Sequence, residues 1–338
     1  MTPALQLEIL DLRHFSASSV RPVLDAEVKL WNSRLRWDYR ASADLLLQYL
    51  DSRVLPGYVA IEDGRISGYV FCIYEENKAV IGDAFAIPGQ GSHSATEIEL
   101  RLLDHLIELL TNSPGIDRIE SQLLLHRHAT HTPVFARAGF QIFPRLFMER
   151  DLTPSFSGLW QADLLAPRSP KPLPAGMEIR TWRDEDFNPA GRLIAACYEG
   201  HIDSHINDQY RSVAGSLRFL HNVVRFPGCG TFDPAASKVV VRTGTSQLVG
   251  LILCSRVRNE TAHVTQICVA KECRGFGLAT LLLKTASAEL RKLRYSKLTL
   301  TVTEGNADAV SLYLTQSFSI EHTFDAMVWN KNKDSRSL

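Results

Sequence analysis

The sequence lacks the charge imbalance and the long apolar runs that mark several large classes of protein. Lysine and arginine number 37 and so do aspartate and glutamate, so no global attraction to nucleic acid or to an anionic membrane is expected. No run approaches the roughly 18 apolar residues of a membrane span. The opening residues also lack the basic-then-apolar plan of a signal peptide. We therefore expect a cytoplasmic protein with no nucleic-acid and no membrane partner.

The cysteines lack the close spacing of a metal or redox motif. The chain has 6 of them, none in a C-x-x-C pattern and most within apolar segments. Buried or incidental thiols in a reducing compartment fit this usage better than disulfides or zinc, so no metal is expected. The six residues are Cys72, Cys197, Cys229, Cys254, Cys268 and Cys273.

A strand, a basic glycine-containing turn and a helix start follow one another in the segment ICVAKECRGFGLATLLL, residues 267–283. The unpaired amides of a first helical turn and the helix dipole both favour an anion. Gly275 and Gly277 permit φ > 0 and let a ligand approach the backbone. Arg274 adds a planar, permanently charged donor suited to phosphate. The segment predicts a site for a phosphorylated cofactor.

The pattern of this loop narrows the choice of cofactor. It is not a GxxxxGK[ST] loop, and the third glycine of a dinucleotide-binding fingerprint is missing. It resembles the R/Q-x-x-G-x-G/A pyrophosphate loop of the GNAT superfamily, the acetyl-CoA-dependent N-acyltransferases, with Arg274, Gly277 and Ala279 at the fixed positions. A glycine turn that merely ends a strand is the alternative.

A second segment supports the same resemblance. The alternating run KLTLTVT at 297–303 predicts a strand, and Asn306 is a plausible N-cap for the helix that follows. This resembles the second GNAT block, a strand followed by N-x-x-A-x-x-L-Y and then x-G-F, except that Ser317 replaces the glycine. The residues expected on one helical face are Ala309, Leu312, Tyr313 and Gln316.

The N-terminal half repeats this plan imperfectly. Residues 58–74 predict a hairpin, and the run from His131 to Phe140 matches the end of the second GNAT block with its glycine intact. Where the C-terminal half has RGFGLA, residues 88–96 read PGQGSHSAT and offer no arginine. Either this copy is a degenerate fold that supports the other, or it holds a weak second acyl-CoA site. The tandem arrangement is similar in architecture to mycothiol synthases, with no shared substrate implied.

The resemblance implies a mixed α/β (α+β) fold with the element order β-α-β-β-β-α-β-α-β in the C-terminal half. The cofactor would lie between two splayed parallel strands. We predict two tandem GNAT-like domains: a degenerate domain at 1–152, a proline-rich linker at 153–175 and an acetyl-CoA-binding domain at 176–338.

The resemblance also assigns the cofactor contacts. Acetyl-CoA, as acyl donor, would place its pantetheine arm along the strand and its pyrophosphate over the loop, with no metal involved. The cofactor-binding residues are Ile267, Cys268, Val269, Arg274, Gly275, Phe276, Gly277, Leu278, Ala279, Thr280 and Asn306.

Acyl transfer to an amine needs a base for the amine and an acid for the departing thiolate. By resemblance Tyr313 is the acid candidate, since a phenol with a pKa near ~10 can protonate a thiolate. His263 stands where many family members place a strand glutamate, and its reference pKa of ~6.5 suits a base. Tyr313 as a core aromatic and His263 as a solvent-facing edge residue are the alternatives. A strand bulge could redirect His263.

A polar segment after the first helix of the C-terminal half is the candidate acceptor site. By resemblance this place borders the acceptor pocket. A metal site built from His201, Asp203 and His205, or a solvated loop, are the other interpretations. The candidate substrate-binding residues are Tyr198, His201, Asp203, Asn207, Gln209 and Tyr210.

Together these features predict an acetyl-CoA-dependent N-acetyltransferase. It would acetylate the primary amine of a small polar acceptor by direct attack in a ternary complex, because no Cys-His pair is indicated by spacing. A non-catalytic acyl-CoA sensor and a protein-lysine acetyltransferase are the alternatives. The acceptor, the acyl chain length and the oligomeric state are left open.

Overall fold

A computed structural model of the chain describes residues 7–89, 91–153, 172–226, 230–245 and 247–331. The chain forms two compact units, residues 1–145 with 323–338, and residues 146–322. Each unit combines a mixed sheet with packed helices, so the predicted α/β class is confirmed. Most of the predicted linker, residues 154–171, lies outside the described residues. None of the described helices is long and apolar enough to cross a membrane.

The first unit has a sheet in which one pair of strands is parallel. Its sheet order is β1-β2-β3-β4-β5-β13, parallel only at β4–β5. The strands are β1 (Glu8–Asp11), β2 (Gly57–Glu62), β3 (Arg65–Glu75), β4 (Lys78–Ala86), β5 (Arg118–Gln122) and the end of β13 (Ser319–Asn330). The helices are α1 (Ala17–Leu35), α2 (Arg40–Asp51), α3 (Ala95–Asn112) and α4 (Thr132–Arg137).

Helix α3 is the main cover of this sheet. Its apolar residues recur at helical spacing, and Ile98, Leu102 and Leu106 are buried against strands β3 and β4. Full burial of each such side chain stabilises the fold by about 1.5–3 kcal/mol.

The second unit repeats the arrangement. Its sheet order is β6-β12-β11-β10-β9-β7, with β8 beside β10. The strands are β6 (Gln141–Asp151, from Leu146 onward), β7 (Met177–Thr181), β8 (Thr231–Phe232), β9 (Lys238–Arg242), β10 (Leu248–Arg258), β11 (Thr261–Val269) and β12 (Lys297–Thr303). The helices are α5 (Phe187–Tyr198), α6 (Asp203–Ile206), α7 (Val213–Arg225), α8 (Leu278–Lys292) and α9 (Ala307–Thr315).

The compact units differ from the predicted domain limits at two strands. The end of β13 falls within the predicted C-terminal domain, 176–338, but it pairs with β5 in the first unit, from Ala326 opposite Gln122 to Asn330 opposite Arg118. Conversely, residues 146–152, predicted to close the N-terminal domain, belong to the second unit. An alternating pattern predicts a strand but does not identify its partner.

Candidate active site

The loop between β11 and α8 turns through two left-handed glycines. A short 3₁₀ turn at Lys271–Cys273 leads into Arg274, and Gly275 and Gly277 adopt φ values of 80° and 81°. A Cβ added at Gly275 would meet no atom within 4 Å, so the backbone conformation, not crowding, favours glycine there.

The amino terminus of α8 is left open by the sequence. Gly277 at the N-cap has no side chain to accept an amide hydrogen, and the first turn contains no acidic residue. Leu278 is buried and anchors the helix, whereas Phe276 is 52% exposed. The first-turn amides have no acceptor within the helix, and with the helix dipole they form a site for an anion.

Arg274 braces this loop. Its Nε donates to the carbonyl oxygen of Val269 at 3.3 Å, and Nη2 donates to that of Cys197 at 3.3 Å. The side chain therefore ties the end of β11 to the end of α5. A bound phosphate would meet a guanidinium that is already held in place.

Strand β11 carries a bulge at Thr265. Leu253 of β10 lies opposite Gln266, but its neighbour Cys254 lies opposite Val264. Adjacent residues of β10 point to opposite faces of the sheet, so their partners Val264 and Gln266 point to opposite faces too. Residues two apart in a regular strand share a face, so the bulge reverses the alternation of side chains along β11.

The parallel ladder between β11 and β12 ends just before this bulge. It runs from Thr261 and Lys297 to Val264 and Leu300. Farther on, Ile267–Val269 lies opposite Gly250–Ile252 of β10 on one side. On its other side this part of β11 no longer pairs with β12, and an extended ligand can lie along the strand there.

The bulge brings polar side chains onto one face of the sheet. Ser255 lies opposite His263, and by the parity above both share the face of Gln266. Within the described part of the chain, Ser255 Oγ and Gln266 Nε2 are buried atoms without a hydrogen-bond partner. Buried polar atoms are nearly always bonded, so this face is suited to a polar ligand.

Gln266 was not predicted from the sequence, although an amide in the otherwise apolar end of TAHVTQICV was a usable signal. The Tyr198 hydroxyl donates to its Oε1 at 2.7 Å, and the Ile267 amide donates to the same atom at 2.9 Å. Burial, and after it the nearby Tyr210, Asp203, Cys268 and Tyr313, raises the pKa of Tyr198 well above its usual range. Tyr198 is therefore a hydrogen-bond donor at any physiological pH.

The predicted acceptor segment contacts strand β12 and Asn306, in the segment that resembles the second GNAT block. The Asp203 amide donates to His201 Nδ1 at 3.1 Å, and the Thr303 hydroxyl donates to the Asp203 carboxylate. Asn306 Nδ2 lies 3.3 Å from His201 Nε2, and its Oδ1 caps α9 by accepting from Ala309. The N-cap prediction for Asn306 is confirmed.

Three other members of this segment take part in local packing. Tyr210 stacks on Tyr198 with ring centroids 4.4 Å apart. Asn207 Oδ1 accepts from the Gln209 amide at 3.0 Å, which closes a 3₁₀ turn. The backbone of Gln209 packs against Gly215, and a Cβ added at Gly215 would lie 2.5 Å from the Gln209 carbonyl oxygen.

The HxDxH pattern at residues 201–205 does not form a metal site in the described structure. Its three polar side chains do not gather their ligand atoms around one point there. The pattern instead builds the short helix α6 and its contacts with β12 and Asn306.

The two predicted catalytic residues are both buried. Tyr313 lies on α9, edge-on to Phe318 with ring centroids 5.8 Å apart. His263 Nδ1 lies 2.9 Å from Thr299 Oγ1, and its ring stacks on Phe147. His263 is therefore not a solvent-facing edge residue. The bulge has turned it toward the face of Gln266.

The sequence of this region matches a known family. Residues 158–318 match the sequence model of the Acetyltransferase (GNAT) family. This part of the chain is similar to the GNAT family, and we call it the GNAT domain after that match. No curated protein matches the chain in sequence.

Solved structures show the same architecture over the whole length. A GCN5-related N-acetyltransferase from Sphaerobacter thermophilus superposes with a TM-score of 0.64 at 13% identity, over 97% of each chain. A tandem GNAT protein from the clavulanic acid biosynthesis pathway gives 0.57 at 17% identity, over 96% of this chain and 98% of that one. The N-acetyltransferase region of a fungal multi-domain β-N-acetylglucosaminidase gives 0.60 at 14% identity, over 97% of this chain and 38% of that one. These likenesses confirm the predicted tandem GNAT fold.

The corresponding helix start in the first unit is closed, unlike that of the GNAT domain. Ser94 Oγ accepts from the Glu97 amide at 3.2 Å, and Glu97 Oε2 accepts from the Ser94 amide at 2.7 Å. A second carboxylate, Glu62, accepts from the amide and ring of His93. Two carboxylates thus hold the place that a phosphate would need, although Gln90 of this loop lies outside the described residues.

A cleft of about 600 Å³ lies beside the loop of the GNAT domain. Its lining carries two basic side chains, Arg192 and Lys271, and two acidic ones among the residues below, and neither Tyr313 nor His263 lines it. The other lining residues are Pro189, Leu193, Ala196, Cys197, Glu199, Thr245, Gln247, Leu248, Ala270 and Glu272.

Proposed function

We propose that the GNAT domain transfers an acetyl group from acetyl-CoA to the primary amine of a small polar acceptor, by direct attack in a ternary complex. The observation that carries this proposal is the open amino terminus of α8, set behind two left-handed glycines at the end of a bulged strand. An anion site there and a diverging strand edge beside it suit a ligand with a diphosphate and an extended arm.

The donor would lie along the loop and strand. Its diphosphate would accept hydrogen bonds from the amides of Gly275 to Ala279, with Arg274 beside it. The pantetheine arm would follow Ile267–Val269 past the point where the β11–β12 ladder ends. The thioester would then lie near the Gln266 face.

The acceptor would occupy that face. Ser255 Oγ and Gln266 Nε2 lack partners in the described structure, and leaving such a group unpaired costs about 1–3 kcal/mol. An acceptor with hydroxyl or amide groups recovers this free energy when it bonds them. Tyr198 and His201 extend the polar surface beyond Gln266.

The chemistry requires two protons to leave the ammonium nitrogen and one to reach the sulfur. We propose that neutral His263 takes the first proton and the free amine attacks the thioester carbon. Tyr313 then protonates the departing CoA thiolate, and the second nitrogen proton restores the Tyr313 phenol. His201 is the second candidate base, because its side chain is 25% exposed and adjoins Asn306. Amide and free thiol are the products.

An intermediate linked to Cys268 is not favoured. The hydrogen bond with Cys197 and burial together raise the pKa of Cys268 well above its usual range, so it stays a thiol. The described cysteines are all free and buried, which supports the proposed cytoplasmic location.

The test is a screen of small amines and of lysine-containing peptides with acetyl-CoA, read as free thiol release. The proposal expects turnover with polar small amines. Tight acetyl-CoA binding without turnover on any amine would favour a sensor, and turnover on peptides alone would favour a protein-lysine acetyltransferase.

A further inference from the structure

A buried cluster of one carboxylate and two imidazoles lies in the first unit. Glu99 on α3, His126 after β5 and His131 before α4 are 5%, 8% and 3% exposed. One ligand atom from each lies within 4.8 Å of the others. Because these residues come from three elements, no spacing motif in the sequence pointed to them.

The hydrogen bonds of His126 fix which of its nitrogens carries a proton. Nε2 lies 2.7 Å from the carbonyl oxygen of Ala84, an acceptor, so Nε2 is the donor. Asp83 Oδ1 is 3.7 Å from the same nitrogen and supports that tautomer. The other nitrogen, Nδ1, faces Glu99 Oε2 at 3.6 Å. Beside that carboxylate oxygen, Nδ1 carries either a second proton or a metal ion.

The ring of His131 meets the same carboxylate oxygen. Its Nε2 is 3.0 Å from Glu99 Oε2, and the centroids of the His126 and His131 rings are 4.3 Å apart. Two ligands about 2.1 Å from one ion are about 3.0 Å apart at a right angle and about 3.4 Å apart at the tetrahedral angle. Both distances to Glu99 fit a shared ion after small side-chain adjustment.

We propose that Glu99, His126 Nδ1 and His131 Nε2 bind one divalent transition-metal ion, most simply zinc. Two imidazoles with a carboxylate are a donor set typical of zinc and its first-row neighbours. Asp83 and the Ala84 carbonyl orient His126 from its far side, as a carboxylate or carbonyl bonded to the non-ligating nitrogen does in histidine metal sites.

The charges of the cluster are consistent with a divalent ion. Asp83 and Glu99 are both buried, and their hydrogen bonds come from the amides of Ala84 and Ala86 and from imidazole rings. Asp83 also shares a hydrogen bond with the buried carboxyl of Glu27, whose pKa is raised well above its usual range by burial and by Asp83, so Glu27 adds no charge. Buried charges must be compensated. One dication balances two carboxylates while both histidines stay neutral. This proposal departs from the expectation from the sequence that no metal is bound.

The position of the cluster explains why the first unit can hold an ion. The last parallel pairs are Ile81 with Ser121 in this unit and Val264 with Leu300 in the GNAT domain. Asp83 stands two residues after Ile81, and Gln266 stands two residues after Val264. The side chain of each accepts a hydrogen bond from the backbone amide of the residue that follows it, at 2.8 Å for Asp83 and 2.9 Å for Gln266. The ion would thus lie at the position in the first unit that corresponds to the Gln266 face of the GNAT domain. Since all three ligands are buried, we expect a structural site.

The experiment titrates tag-free, full-length protein, stripped with chelator, with Co(II) and then with Zn(II). We expect one equivalent to bind, with d–d absorption from Co(II) that Zn(II) displaces. His131→Ala should abolish the band. Asp83→Asn, which changes only the group beside the non-ligating nitrogen of His126, should weaken binding by about 10–100-fold.

His128→Ala is the matched control. His128 is in the same unit and bonds Asp325 at 2.6 Å, but its side chain is 47% exposed. It should leave binding unchanged. If His131→Ala does not fold, Asp83→Asn and Glu99→Gln decide. The proposed site is overturned if the parent protein does not bind one equivalent of metal, or if the parent and the cluster variants bind it equally. The cluster is then joined only by hydrogen bonds between the imidazoles and the carboxylate.

Discussion

The hydroxyl of Tyr198 and the side chain of Gln266 are joined by a 2.7 Å hydrogen bond that orients the Gln266 amide. Because Tyr198 and the Ile267 amide both donate, the atom that they share must be the carbonyl oxygen Oε1. The amide nitrogen therefore points elsewhere and lacks a partner in the described structure. The Tyr198–Gln266 pair therefore presents the Gln266 Nε2 donor to the proposed acceptor substrate.

Gln266→Glu tests this orientation, because a carboxylate keeps the acceptor for Tyr198 and removes the donor. We expect the acceptor KM to rise by about 10–100-fold, equivalent to ~1.5–3 kcal/mol, while the acetyl-CoA Kd is unchanged. Steady-state kinetics and calorimetry measure the two. Tyr198→Phe is the control, since it leaves the donor in place and should have a smaller effect. An unchanged acceptor KM in Gln266→Glu would remove Gln266 from the site.

Tyr313→Phe removes a single hydroxyl from the proposed acid. We expect acetyl-CoA affinity to stay nearly intact and kcat to fall by roughly 10²–10⁴, the usual contribution of general acid–base catalysis. Rapid-quench kinetics with a good acceptor measures this. Full kcat in the variant means that Tyr313 is not the acid.

His263→Ala and His201→Ala distinguish the two candidate bases. The true base acts when neutral, so its removal should cost most activity near neutral pH. Activity should recover as rising pH deprotonates the amine in solution. The other variant should alter the acceptor KM and keep the parental pH–rate profile. Identical profiles in parent and both variants would mean that neither histidine is the base.

The sequence predicted what is encoded locally. Strand β12 occupies the predicted residues 297–303, and α8 starts at Leu278, directly after the glycine loop, where a helix start was predicted. The loop was identifiable because its glycines and Arg274 are contiguous and need no partner to be recognised.

What the sequence did not predict depends on long-range pairing. The Ser255–His263–Gln266 face exists because a bulge at Thr265 reverses the parity of β11, and no local pattern encodes a bulge. The pairing of Ala326–Asn330 with β5 depends on which edge is available in three dimensions. The Glu99–His131 contact likewise joins residues from separate elements.

Ser317 occupies a left-handed position that favours glycine. It follows the C-cap of α9 with φ of 63° and is exposed, whereas Gly139 ends α4 in the first unit with φ of 82°. Ser317→Gly should raise the free energy of unfolding by about 0.5–1 kcal/mol, because a left-handed Cβ is strained. Gly139→Ser is the matched reverse change, since a Cβ there meets nothing within 4 Å, and should destabilise by a similar amount. Urea unfolding of both variants checks this, and a destabilised Ser317→Gly would contradict it.

Loop geometry and cofactor affinity should be linked at Gly275. It and Gly89 have φ of 80° and 74°, and a Cβ at either would meet nothing within 4 Å. Gly275→Ala should weaken acetyl-CoA binding by about 10-fold, since the strained loop relaxes away from its binding conformation. Gly89→Ala should leave acetyl-CoA binding unchanged. Equal effects of the two changes, measured by calorimetry, would place the cofactor elsewhere.

Calorimetric titration of the full-length protein with acetyl-CoA tests the central claim most directly. The open α8 terminus and the Glu97-capped α3 terminus together predict one equivalent per chain. Arg274→Ala should weaken this binding by ~1.5–3 kcal/mol, the range for charged hydrogen bonds. Two equivalents, or tight binding of ATP or NADH with none of acetyl-CoA, would contradict the account.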